Sequence, residues 1–119
     1  TFYDAAGVQA PQELQGRSLK PLLEGNDAPR DAAWMEWHVH PSRCGVGLQL
    51  RTVRTKRWKC TFELASGAGE MYDLENDPTE MNNLFDDPGY AKVRKEMEAL
   101  MRARPGRIQE KLAEPIGMA

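Results

Sequence analysis

The run Glu36-Trp37-His38-Val39-His40 holds the side chains best placed to do chemistry. On an extended chain alternate residues point the same way, so one carboxylate and two imidazoles could converge, with Cys44 a few residues on. Glu36, His38 and His40 are therefore the candidate metal ligands. The plainer reading has these polar residues on a rim, alternating with buried Met35, Trp37 and Val39, and it is favoured because short motifs match often by chance.

Other candidates fail on inspection. Asp73-Leu74-Glu75-Asn76-Asp77 opens like a calcium loop, but Pro78 stands where the turn needs Gly, and Leu84 where the last ligand should be Glu. Ser42 and Cys44 lie near two histidines, yet triad partners normally come from distant parts of a fold, and no Gly-x-Ser-x-Gly occurs. Gly67 and Gly69 lack the following Lys-Ser/Thr of a phosphate loop. No residue is assigned as catalytic.

Charge is unevenly distributed. Six basic residues and no acid lie between Arg43 and Lys59, and eight acids and no base between Glu63 and Asp87. A basic hairpin carrying Trp58 suggests a polyanion grip. A net charge of −2 and the adjoining acidic run instead indicate that the two runs offset each other across neighbouring strands. Nucleic acid is not the expected partner.

These side chains must be positioned by a small set of elements. The chain opens like the last turn of a helix, closed at Gly7, as if the start of that helix were missing. Prolines and glycines punctuate residues 8–31, leaving room for one helical turn near Leu19, Leu22 and Leu23. Strands are expected over 32–39, 48–55, 58–64 and 70–74. Trp58, Cys60, Phe62 and Leu64 alternate with polar residues, and 55–57 is short enough for a hairpin. Pro41 to Gly47 reads as a loop. Asp77-Pro78-Thr79-Glu80 resembles a capping box opening a brief helix. Asp87-Pro88 starts a longer helix to about Ala103, with Tyr90, Val93, Met97, Leu100 and Met101 on one stripe. A weak turn near Ile108 and Leu112 is the most that the tail offers. The fold class is α+β, a small antiparallel sheet of about four strands packed against a C-terminal helix.

Length and composition bound the function. At 119 residues, 40% hydrophobic and 29% charged, the chain suits one compact domain rather than a disordered segment or a large hydrolase with its own deep site. No stretch approaches the ~20 apolar residues of a membrane span, and the opening residues do not show the charged-then-apolar pattern expected of a leader. Two cysteines do not fix a redox compartment.

Three blocks then carry a family resemblance. Residues 4–8 with 14–23 (Leu-Gln-Gly-Arg-Ser-Leu-Lys-Pro-Leu-Leu) resemble the segment leading out of the catalytic domain of type I sulfatases, which belong to the alkaline phosphatase superfamily. Residues 51–60 (Arg-Thr-Val-Arg-Thr-Lys-Arg-Trp-Lys-Cys) are similar to the family's C-terminal hairpin, and 70–84 to its "ELYDLxxDPxExxNL" run. The blocks occur in family order.

The resemblance implies a catalytic-domain helix end plus connector over 1–31, a sulfatase C-terminal subdomain over 32–104, and a tail over 105–119. Family members hydrolyse sulfate esters with a formylglycine made from Cys or Ser in Cys/Ser-x-Pro-x-Arg, helped by a divalent cation, usually calcium. Here the nearest string is Val39-His40-Pro41-Ser42-Arg43, and valine has no heteroatom to oxidise. Calcium and formylglycine are expected in the catalytic domain, which would be the partner of this chain, with none in the chain itself. In such enzymes this subdomain packs on the catalytic domain and sometimes lends residues to the pocket rim, which makes the loop His38 to Gly47 the expected contact. His38, His40 and Arg43 could there meet an anionic substrate, with Arg43 the best suited by its planar, always-charged guanidinium, against the plainer reading of a surface loop with no ligand. Loss of that partner would bare Phe2, Tyr3, Leu19, Leu22 and Leu23 and favour self-association. The alternative is a free-standing metal- or polyanion-binding module.

Overall fold

The computed structural model describes residues 1–12, 14, 16–26 and 30–104. The expected tail over 105–119, including the turn near Ile108 and Leu112, lies outside the described residues. The described chain divides into two compact units, residues 1–30 and 31–104.

The first unit carries two short helices, α1 (Phe2–Ala5) and α2 (Lys20–Leu23), and neither buries a residue. Gly7 follows α1 at φ 68°, as expected of the residue that closes it. Polar contacts organise this unit: Leu19 N donates to Thr1 Oγ1 at 2.9 Å, and Lys20 Nζ lies 3.8 Å from Asp4. Phe2, Tyr3, Leu19, Leu22 and Leu23 are all exposed.

The second unit is an antiparallel meander, with β1 (Ala33–Val39), β2 (Leu48–Arg54), β3 (Trp58–Glu63) and β4 (Gly69–Asp73) in that spatial order. Its register aligns Trp34, Val53, Cys60 and Met71 in one row across all four strands. Over that row lies α4 (Ala91–Arg102), which a 3₁₀ turn at Pro88–Tyr90 introduces. Asp87 caps the turn by accepting from Gly89 N. The apolar stripe does what its spacing predicts: Met97 and Met101 are buried, and Tyr90, Val93 and Leu100 pack against the core. Trp34 Nε1 donates to the Leu100 carbonyl at 3.0 Å, and Trp58 meets Tyr90 edge to face with centroids 5.9 Å apart. Val53, Cys60 and Met71 are fully buried, and the burial of Val53 and Met71 is worth about 1.5–3 kcal/mol each. The fold is α+β.

The outer edge of β4 is sealed. Asn83 Oδ1 accepts from Met71 N and Phe85 N, both at 3.0 Å, and Leu84 N donates to the Met71 carbonyl at 2.8 Å. Gly69 is required for this closure, because a Cβ there would run into the Phe85 ring and lie 2.6 Å from the Thr61 carbonyl.

Four expectations need correction. Residues 77–80 form turns rather than a helix: Glu80 adopts φ 56°, Asp77 Oδ2 accepts from Asn82 N, and Glu80 pairs with Lys59. Leu64 falls just past β3 and is exposed, outside the alternation that buries Cys60. Pro41–Cys44 is a helical turn, α3, rather than plain loop. On β1 the alternation is right and the buried side wrong: Met35 and Trp37 are 47% and 68% exposed, while Trp34 and Glu36 face the α4 side.

Candidate functional site

The candidate residues cluster where β1 runs through α3 into β2. Pro41 at the first turn fixes a helical φ, and His40 caps that turn, its Nδ1 accepting from Ser42 N at 3.2 Å. Ser42 Oγ lies 2.9 Å from the same Nδ1. Gly45, at φ 79°, closes the turn in the left-handed region that glycine adopts without strain. Arg43 is exposed on α3, and the Cys44 thiol is spent on the Val46 carbonyl at 3.1 Å.

Glu36 and His38 lie on β1 just before that turn and are joined by a residue not predicted there. Arg51, opposite Glu36 in the β1–β2 register, is 1% exposed. Its Nε lies 3.2 Å from Glu36 Oε1, and its Nη1 is 2.7 Å from His38 Nε2 and donates to the Leu50 carbonyl at 3.1 Å. Arg104, just beyond α4, brings a second guanidinium 3.5 Å from the same Glu36 oxygen. The structure thus pairs Glu36 with arginines and separates His38 from His40 by their partners. The sequence held one signal for this: Glu36 and Arg51 are equidistant from the centre of the 40–47 connection, so a symmetric hairpin puts opposite charges face to face.

The remaining charges behave largely as the two runs suggested. Arg57 reaches back to Asp73 at 3.0 and 2.7 Å and to Glu75 at 3.5 Å, and Lys59 pairs with Glu80. The Arg57 guanidinium, helped by the Asn76 amide, holds the Asp73 carboxyl down at about 2. Glu63 is likewise lowered to about 2, first by the Ser66 hydroxyl and then by the Gln49 and Ser66 backbone N–H groups. Burial pushes the Cys60 thiol up to about 12.

These partners also test the fit of a cation. The Asp73 oxygens are taken by Arg57 and Asn76, and Asp77 is turned onto its own loop. Among the described residues no group of three or more His, Cys, Asp or Glu side chains could hold a metal ion. At the end of the sheet that carries the β1–α3–β2 corner, a groove of about 310 Å³ lies between α4 and β3, bordered by Phe62, Phe85, Arg94 and Met101. No helix among the described residues is long and apolar enough to cross a membrane.

Comparison with known proteins agrees with this fold and its sequence blocks. N-acetylglucosamine-6-O-sulfatase of Bacteroides thetaiotaomicron is 39% identical over 106 residues, covering 85% of this chain and 19% of that protein. A solved structure of a protein in complex with its substrate D-glucosamine-2-N,6-O-disulfate superposes with a TM-score of 0.75 at 37% identity, over 87% of this chain and 22% of that one. The phosphonate monoester hydrolase of Agrobacterium radiobacter does so with a TM-score of 0.70 at 30% identity, over 87% of this chain and 23% of that one. The chain spans about a fifth of the length of the curated relatives it matches first. Residues 1–106 match the family described as N-sulphoglucosamine sulphohydrolase, C-terminal, and the chain belongs to that family of sulfatase C-terminal domains.

Proposed function

We propose that this chain completes and stabilises a sulfuric ester hydrolase acting on a sulfated amino sugar, and that its β1–α3–β2 corner lends side chains to the pocket rim. The observation that carries this reading is the family match over residues 1–106 in a chain one-fifth the length of its sulfatase relatives. The names of two similar proteins, the N-acetylglucosamine-6-O-sulfatase and the protein solved with D-glucosamine-2-N,6-O-disulfate, suggest the substrate class. The sheet is the rigid part, and α3 displays His40 and Arg43 from its end. Arg43 would bind an anionic group through its guanidinium, and the histidines would orient it. The formylglycine and calcium of the family's chemistry would be supplied by the catalytic domain.

Two measurements test this. The 119-residue chain, assayed on an aryl sulfate with calcium, gives no turnover above a buffer blank; turnover would overturn the proposed division of labour. In the full-length sulfatase, Arg43→Met raises KM several-fold with a smaller change in kcat, and an unchanged KM removes the corner from the rim. The exposed Phe2, Leu22, Leu23 and Trp37 would be covered by the catalytic domain or, in its absence, by a second copy. Sedimentation at rising concentration reads the latter.

A further inference from the structure

The rim reading leaves open what the two histidines offer a ligand, and their inward contacts decide it. A guanidinium has only donors, so His38 Nε2, 2.7 Å from Arg51 Nη1, must present its lone pair there. The proton of the neutral ring then sits on Nδ1. At His40 the backbone N–H of Ser42 points at Nδ1, which must be the acceptor, and the proton sits on Nε2. Neither outward nitrogen has a partner among the described residues, and both rings are exposed.

We propose that the β1–α3 corner holds its two histidines in opposite tautomers, so that each turns an N–H outward and the corner takes a sulfate-type oxyanion rather than a metal ion. This deepens the rim reading and rests on it for the ligand's origin. A metal needs a ring lone pair, and the inward lone pairs are spent while the outward nitrogens carry protons. Glu36, the third member of the candidate set, is turned onto Arg51 and Arg104. All three ligands of the metal reading are thereby disarmed, each by a different partner. Arg51 is a positioning residue: buried, anchored by Glu36 and the Leu50 carbonyl, it sets the His38 proton without itself reaching a ligand. The α3 turn does the same for His40 with a backbone amide. Arg43, exposed on that turn, adds full positive charge beside two neutral donors.

Long-range ¹H–¹⁵N spectra of the ¹⁵N-labelled chain, recorded at about pH 8.5 where an ordinary imidazole is neutral, read the tautomers directly. The expected result is Nδ1–H for His38 and Nε2–H for His40. Finding His38 as Nε2–H, or both rings in one form, overturns the proposal. Arg51→Met should abolish the His38 pattern and leave that of His40 intact, the unchanged His40 reporting that the corner is still folded. Millimolar inorganic sulfate should shift both rings, and one equivalent of zinc should shift neither; the reverse response also overturns it. Full-length His38→Ala separates the two readings. If the tautomers are as stated but KM does not move, the rim assignment fails and the tautomer assignment stands.

Discussion

Along the outer edge of β4 the backbone is closed off: Asn83 accepts from Met71 N and Phe85 N, Leu84 donates to the Met71 carbonyl, and Phe85 covers Gly69. Along the outer edge of β1, no backbone bond outside the β2 ladder is formed among the described residues, and Met35 and Trp37 stand in solvent. One sheet therefore has a finished border and an unfinished one. Unpaired strand edges are a liability that folded proteins cover or charge. The sealed edge adjoins the aromatic and methionine core under α4, while the open one leads into the corner bearing His38, His40 and Arg43. The proposed recognition residues thus lie beside the unfinished border.

If the two borders differ in this way, substitutions should separate the buried and sealed positions from the exposed face of β1. Met71→Ala, at a fully buried position in the four-strand row, should cost about 3 kcal/mol, read as a lower urea midpoint with unchanged slope. Arg51→Met should cost about 2 kcal/mol: it breaks a buried ion pair, but Arg104 remains beside Glu36. A loss larger than that of Met71→Ala would mean the β1 side also carries the fold. Asn83→Ala should cost about 1 kcal/mol by leaving the Met71 and Phe85 amides unsatisfied, with faster hydrogen exchange confined to β4. Trp37→Ser should change stability by less than about 0.5 kcal/mol, as expected of an exposed side chain.

Acid gives a further handle on the same contrast. Asp73 and Glu63 titrate near 2 in the folded chain, below the ordinary carboxyl range of about 4. The unfolded chain thus binds more protons across that interval, so their stabilisation is complete above about pH 4 and is lost as pH falls toward 2. Asp73→Asn should flatten part of that acid limb in a pH series of thermal unfolding. An acid limb of unchanged steepness would locate the sensitivity elsewhere.

Much of the sealed side was legible in the residues. Trp58, Cys60 and Phe62 alternate as a half-buried strand must, and the Tyr90–Met101 stripe is helical in period, because both patterns are local. What failed was set by distant partners. Glu36 reads as rim polarity until Arg51 and Arg104 arrive from β2 and from beyond α4. Those two guanidiniums meet the face shared by Trp34, Glu36 and His38, and Met35 and Trp37 lie on the other, exposed face. The capping-box reading of 77–80 failed similarly, since Lys59 captures the Glu80 side chain and the Asp77 carboxylate is drawn to the Asn82 amide. In the corner, the residue types were visible but their hydrogen-bond partners were not, and the partners decide which nitrogen faces out.

The burial of Cys60 carries one more consequence. Its thiol is inaccessible and held far from ionisation, while Cys44 lies on the surface of α3. A thiol reagent will therefore mark the two cysteines on separate clocks. Cys44 is accessible in the native fold, whereas Cys60 is modified only when the four-strand row parts. The ratio of the two labels is an internal gauge of how often the sheet opens, and it needs no probe added to the sequence.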